Sequence, residues 1–261
     1  EQIDTSIGTI EDVEQYLKLP AVGVIPYLKI VDDKKKGFIQ SLWPKEFTSK
    51  EKVQRIRKQL LVHYSSSAPV FEAYRMLRTN IETEVFKEKI RRKIILLSSS
   101  GPEEGKSITT SNLAITMAQG GLRTLLIDAD MRRATIHKIF GMEREPGLSN
   151  VLRGTIDSKD AIKTFADILT SEMGFDQALK IPGLDYLNIL VSGSLPLASA
   201  ELLMSPEMDR LLVKLRDSYD IILIDSPPVL AVADAIILGP KVDAVFLVYR
   251  VGMTARSLLY R

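Results

Sequence analysis

Between Lys93 and Gln119 the chain runs from an apolar stretch, Ile94-Ile95-Leu96-Leu97, through Ser98-Ser99-Ser100-Gly101-Pro102-Glu103-Glu104-Gly105-Lys106-Ser107 into a segment of helical pattern. No other stretch restricts the fold so strongly. A continuous run of β-branched and leucine residues, without polar alternation, reads as a strand buried on both faces, hence a parallel sheet covered by helices. A glycine-bearing loop ending in Gly-Lys-Ser at a helix start aims backbone N–H groups and the positive end of the helix dipole at an anion. The spacing assigns Lys106 to the outer phosphates of a nucleoside triphosphate and the Ser107 hydroxyl to magnesium. The loop departs from G-x-x-x-x-G-K-[ST] at its first glycine, where Ser100 stands. Taken alone, a polar strand-to-helix turn that binds nothing fits such a stretch as well.

Two further runs remove that ambiguity. Leu125-Leu126-Ile127 ends in Asp128-Ala129-Asp130, and Ile221-Ile222-Leu223-Ile224 ends in Asp225-Ser226-Pro227-Pro228. Ligands of open α/β sheets sit beyond the carboxyl ends of the strands, so all three motifs are expected at one sheet edge. Phosphoryl transfer asks a protein for positioning and charge neutralisation more than for covalent chemistry. The expected nucleotide cradle is Ser100, Gly101, Pro102, Glu103, Glu104, Gly105, Lys106, Ser107 and Ile108. Ser107, Asp128 and Asp225 are the expected magnesium ligands. Lys106, Asp128 and Asp130 are the expected catalytic set, with Asp128 placed to accept the proton of an attacking hydroxyl or to complete the metal shell. A solvated Asp130, or one paired with Arg132 or Arg133, is the competing reading. Asp225 as a helix N-cap is disfavoured by Pro227-Pro228, which argue for a fixed loop.

Alternating strand and helix patterns predict an α/β fold: a doubly wound, mostly parallel sheet of the P-loop NTPase kind with deviant Walker motifs. Strands are expected at 93–98, 123–128, 187–191, 220–225 and 244–249. Helices are expected at 9–17, 50–63, 69–85, 106–119, 159–170, 200–219 and 234–238, with short helical stretches at 147–154 and from Thr254 onward. Leu19 to Pro26, apolar and punctuated by Pro and Gly, reads as a strand or extended edge element. Residues 1–60 are expected to be a linker with N-terminal edge elements, and 61–261 the nucleotide domain, the whole forming one compact body.

Among 261 residues the formal charge is only +2, so the overall balance does not demand nucleic acid. Lys34-Lys35-Lys36 and its basic surroundings read as a solvated loop or, near a membrane, a contact with anionic lipid. Trp43 reads as an anchor for that loop or a mark of a surface contact. Without cysteine there is no disulfide and no thiolate metal site. No run of eighteen apolar residues is present to span a bilayer. The chain starts at Glu1 and stops within a pattern, as a piece of something longer would.

Together, Pro-Glu-x-Gly-Lys-Ser, Ile-Asp-Ala-Asp-Met-Arg-Arg followed by His137 and Phe140, and Ile-Leu-Ile-Asp-Ser-Pro-Pro resemble the bacterial tyrosine kinases, the cytoplasmic kinase domains of capsular and exopolysaccharide chain-length regulators. Glu72, Arg75 and Arg78 match the Glu-x-x-Arg-x-x-Arg element with which that family self-associates into rings, and residues 11–26 resemble its juxtamembrane linker. An intrahelical Glu72–Arg75 pair is the plainer reading of the same spacing. Tyr74, off that face, reads as packing.

The resemblance implies ATP and Mg2+ as cofactors and phosphorylation of tyrosines between subunits. It implies partners in the transmembrane regulator (fused or separate), the polysaccharide polymerisation and export machinery and a cognate tyrosine phosphatase, at the cytoplasmic face of the inner membrane. Three positions depart from the family: Ile108 follows Gly-Lys-Ser, Ala134 follows the paired arginines, and Leu195 to Ala200 replaces a proline-richer turn. The tyrosine-rich tail is missing, and Tyr260 reads as packing. His137 reads as a core or capping histidine. An assembly switch with little or no kinase activity fits the same motifs. A partition-type ATPase fits less well, because Gly101 stands where those proteins carry a second lysine.

Overall fold

The computed structural model describes residues 9–27, 54, 57–61, 64, 68–85, 92–170 and 182–253. The expectations for Lys34 to Lys36, Trp43, Tyr260 and the helix from Thr254 lie outside them, as does most of the helix expected over 50–63. Among the described residues one all-parallel sheet is formed by β1 (Lys93–Ser99), β2 (Thr124–Asp128), β3 (Leu187–Leu190), β4 (Ile221–Asp225) and β5 (Ala244–Val248). Their order across the sheet is β3-β2-β4-β1-β5. The doubly wound parallel fold read from the sequence is therefore what forms.

Strand alternation divides the core. Ile95, Leu97, Leu126, Ile189, Ile221 and Leu223 face one layer, built largely on helix α3 (Lys106–Gln119) through Leu113, Ile115 and Met117. Ile94, Leu96, Leu125, Ile127, Ile222 and Ile224 face the other, with Met208, Leu211, Leu212 and Leu215 of helix α9 (Pro206–Arg216). Burial on both faces is why these strands lack polar alternation.

Helix α1 (Ile10–Leu17) begins in a capping box: the Thr9 hydroxyl accepts from Asp12 N at 3.1 Å and the Asp12 carboxylate from Thr9 N at 3.3 Å. Of the strand or extended edge element expected after it, no strand forms. Residues 19–26 join no sheet and lie on helix α2 (Pro69–Val85). Asn80 Nδ2 donates to Val22 O at 2.7 Å, Val22 and Leu77 both pack on the core, and Ile25 meets the cluster of Leu61, Val70, Phe71 and Tyr74. Pro20 and Pro26 supply no ladder donors, and the apolar side chains find their partner in a helix instead. Arg57–Leu61 is pinned to α3 by Asn112, which accepts from Leu61 N at 2.9 Å and donates to Gln59 O at 3.0 Å.

Helices α4 (Ile136–Phe140), α5 (Leu148–Leu152), α6 (Ser158–Ala161) and α7 (Phe165–Thr170) link β2 to β3. The single helix expected over 159–170 is thus two, parted where Lys163 pairs with Ile189 in an isolated antiparallel bridge. The helix expected over 200–219 also divides, into α8 (Ser199–Met204) and α9. Ser205 is extended at φ −64°, ψ 153°, because a following proline disfavours the helical region and removes an N–H. Helix α10 (Asp234–Leu238) leads to β5.

Candidate nucleotide site

The site is assembled at the carboxyl ends of β1, β2 and β4. In the parallel register Asp225 stands opposite Leu97 of β1 on one side and Asp128 of β2 on the other. Adjacent strands lie about 4.8 Å apart, so the two carboxylates are neighbours for reasons of topology, although 97 residues separate Asp225 from Asp128 in sequence.

Lys106 and Ser107 open α3. Lys106 Nζ donates to Asp225 Oδ1 at 2.6 Å, Ser107 Oγ to Asp225 Oδ2 at 2.7 Å, and Thr110 Oγ1 to Asp225 Oδ1 at 3.2 Å. Gly105 precedes them at φ +89°, a conformation in which any Cβ is strained. The loop is braced by its own glutamate: the Glu104 carboxylate, 5% exposed, accepts from Ser100 Oγ at 2.8 Å and from Gly101 N at 3.0 Å. Ser100, standing where a glycine is usual, is thereby used as a donor. Pro102, Glu103 and Ile108 complete the run, with Glu103 at φ +65°.

Asp128 is fully buried and accepts from three backbone N–H groups, those of Asp130 (3.2 Å), Thr135 (3.2 Å) and Ile136 (3.1 Å). Asp130 accepts from Arg133 N at 2.9 Å, a backbone partner where the competing reading had a guanidinium. Burial first, and then the Asp225 charge, push the Asp128 carboxyl up to about 8; Lys106 opposes this. Burial raises Asp225 too, again against Lys106. Three aspartates thus crowd one buried lysine, which is an environment that favours an added cation.

The donor set suits a magnesium nucleotide. Magnesium is usually held by one or two carboxylates with waters and phosphates, not by an all-protein cage. Consistently, no group of three or more His, Cys, Asp or Glu among the described residues is disposed to hold a metal by itself. Lys106, Gly105 and the first turn of α3 present the donors that suit an anion.

Several supporting residues were not singled out from the sequence. Thr110 lies one turn after Lys106 on the same helix face, a spacing that would have revealed it. Arg144 donates to Met131 O (2.7 Å) and Gly193 O (2.8 Å), holding the loop after Asp128; only the tertiary fold brings these together. His137 is half-buried; burial, Lys138 and Arg144 lower its pKa to about 4, and its Nδ1 has no partner among the described residues.

The trio on α2 is divided. Glu72 and Arg75 pair with each other at 2.6 Å and stay exposed, whereas Arg78 turns inward to donate to Thr116 O at 2.9 Å. Tyr74 is buried against Asn112. No described helix is long and apolar enough to cross a membrane.

The AAA domain family model matches residues 92–253. Tyrosine-protein kinase YwqD of Bacillus subtilis (strain 168) is 35% identical over 208 residues, 80% of either chain. Tyrosine-protein kinase Etk of Escherichia coli (strain K12) is 34% identical over 188 residues, covering 72% of this chain and 23% of that one. The chain therefore spans most of the Bacillus relative and about a quarter of Etk. The kinase domain of Escherichia coli tyrosine kinase ETK superposes with a TM-score of 0.74 at 26% identity, over 97% of this chain and 85% of that one. The BceF tyrosine kinase domain gives a TM-score of 0.72 at 30% identity, over 98% and 90%. By identity along most of its length and by the shape of its P-loop core, the chain belongs to the bacterial tyrosine kinase family.

Proposed function

We propose that the chain is an ATP-dependent protein tyrosine kinase that phosphorylates tyrosines on neighbouring copies of itself and thereby regulates capsular or exopolysaccharide synthesis and export. The observation that carries this is the Lys106–Asp225–Ser107 cluster set beside Asp128 in strand register. In this reading residues 1–60 link a kinase domain, 61–261, to a transmembrane regulator at the cytoplasmic face of the inner membrane. A cognate phosphatase would reverse the modification.

When bound, Mg-ATP supplies the phosphoryl group and neutralises its charge. The chain's own groups do the positioning. The α3 N-terminus and Lys106 orient the outer phosphates, Lys106 exchanging part of its contact with Asp225 for them. Ser107 and Asp225 would hold magnesium. Asp128 would either complete its shell or, fixed by three backbone donors, take the tyrosine proton; burial lifts its proton affinity above that of an ordinary carboxylate, which suits a general base. Asp130 backs it from the same loop. Self-association through Glu72, Arg75 and Arg78 brings the acceptor, with Glu72 and Arg75 the exposed members.

The test is phosphate counting on tyrosine by mass spectrometry, with Mg-ATP, a tyrosine-bearing peptide acceptor and the unaltered chain, against Lys106→Met and Asp128→Asn. Phosphotyrosine lost in both variants supports the kinase. Intact nucleotide binding with no phosphotyrosine shifts the reading to a nucleotide-driven assembly switch.

A further inference from the structure

The loops beyond β2, β3 and β4 converge on one carboxylate that the mechanism above does not use. Asp234, at the start of α10, is 1% exposed. Its Oδ2 accepts from Ser199 Oγ of α8 at 3.2 Å and faces Arg132 Nε, on the loop after Asp130, at 3.9 Å. Its Oδ1 is buried without a partner among the described residues. A carboxylate this deeply buried requires a counter-charge, and Arg132 is the cation set against it. Arg132 is itself half-exposed, with 50% of its side chain open to solvent. Its Nε faces Asp234 at ion-pair distance and not within hydrogen-bond reach, and no other ion pair or hydrogen bond of the guanidinium is found among the described residues. An Arg fork paired in this way keeps donors for an anion. Lys106, the lysine of the cradle, is already engaged with Asp225.

We propose that Asp234 is a positioning residue for phosphoryl transfer: it holds Arg132 by an ion pair, so that the guanidinium donors left open meet the anionic oxygens of the transferring phosphoryl group. Ser199 fixes the carboxylate, so the third loop sets the aim of the arginine. The inference rests on the kinase reading and adds to it a cation outside the phosphate-binding loop. Charge that develops in the transition state is what such a preorganised donor stabilises.

A double-mutant cycle tests it. Asp234→Asn keeps the size of the side chain and an acceptor for Ser199 while removing the charge; Arg132→Met removes the cation; Arg132→Lys keeps charge without the fork. Each of the first two should lower kcat for tyrosine phosphorylation about tenfold, with KM for ATP changed less than about twofold, the signature of an interaction made mainly in the transition state. The double variant should be no slower than Arg132→Met alone, because both act through one group. Arg132→Lys should recover part of the loss.

Additive losses, or a loss for Asp234→Asn that follows thermal stability and not kcat, would overturn the inference. A merely structural clamp gives that second pattern. Binding of a fluorescent ATP analogue with magnesium is followed in all forms. An unaltered chain that binds nucleotide but yields no phosphotyrosine overturns the kinase reading, and this inference with it. Normal phosphorylation in the parent with an additive cycle overturns this inference alone.

Discussion

Strand β4 has an aspartate at each end, and the two live under opposite rules. Asp220, just before the strand, is held by Arg123: Nη2 donates to Oδ1 at 2.9 Å, and Nε and the backbone N donate to Oδ2 at 3.2 and 2.9 Å. The Arg123 side chain is about half open to solvent, and Arg92–Asp217 and Arg216–Asp243 repeat the arrangement nearby. Asp225, five residues on, is fully buried beside the equally buried Asp128, with one lysine for the cluster. At the first end each charge is matched within the protein. At the second the carboxyls outnumber the one lysine, and both are pushed upward. Carboxylates that burial pushes upward in this way are the kind that a bound cation would complete.

The sharpest way to break this contrast is to alter the undermatched end. Lys106→Met should reduce nucleotide binding and phosphotransfer by on the order of a hundredfold or more, since it removes the main cation of the cradle. Asp225→Asn should abolish the magnesium dependence of binding. Titration with an ATP analogue, with and without magnesium, checks both. If Lys106→Met binds as the parent does, the two ends do not differ in kind.

At the matched end, Asp220→Asn should lower the melting midpoint by several degrees, because the Arg123 fork loses its charged partner. Nucleotide affinity should be unchanged. A fall in affinity equal to that of the Lys106 variant would erase the distinction.

A pH series sharpens the comparison further. Asp128 titrates near 3.8 when unfolded and about 8 when folded, so the folded chain binds the extra proton between those values. Its contribution to stability is complete below pH 4 and is lost as pH rises toward 8. His137 has the reverse sign: with 6.5 lowered to about 4, it costs stability as pH falls from 6.5 toward 4. Denaturant midpoints of the ligand-free chain should therefore decline between pH 6.5 and 8, and Asp128→Asn should flatten that decline. An unchanged slope in the variant would show that Asp128 is not its source.

The smallest effect concerns the exposed pair on α2. Glu72→Ala with Arg75→Ala should cost about half a kcal/mol or less, as surface pairs do, while abolishing self-association seen by sedimentation if the trio builds the ring. Arg78→Ala should destabilise more, since Arg78 caps a carbonyl near the end of α3.

Much of this was legible before any coordinates. The apolar runs of β1, β2 and β4 announced strands buried on both faces, because period-free hydrophobicity has few other uses at that length. Gly105-Lys106-Ser107 and the carboxylates closing β2 and β4 announced the site, since ligand chemistry at a sheet edge needs those residue types at strand ends. The breaks at Ser205-Pro206 and Ile162–Thr164 were missed because periodicity was given more weight than the local backbone preferences that interrupt it. The segment 19–26 misled because extended, apolar chain looks the same whether it enters a sheet or lies on a helix.

The sequence by itself thus determined the layers, the nucleotide cradle and the kinds of group around it, through patterns no longer than one strand, loop and helix. Only the tertiary structure decided that Asp128 and Asp225 face each other in register. It also decided that Arg78 turns inward while Arg75 stays outside, and that Arg132, Ser199 and Asp234 meet. The reason is physical: burial, desolvation and the choice of ion partner depend on groups that the chain brings together only after folding.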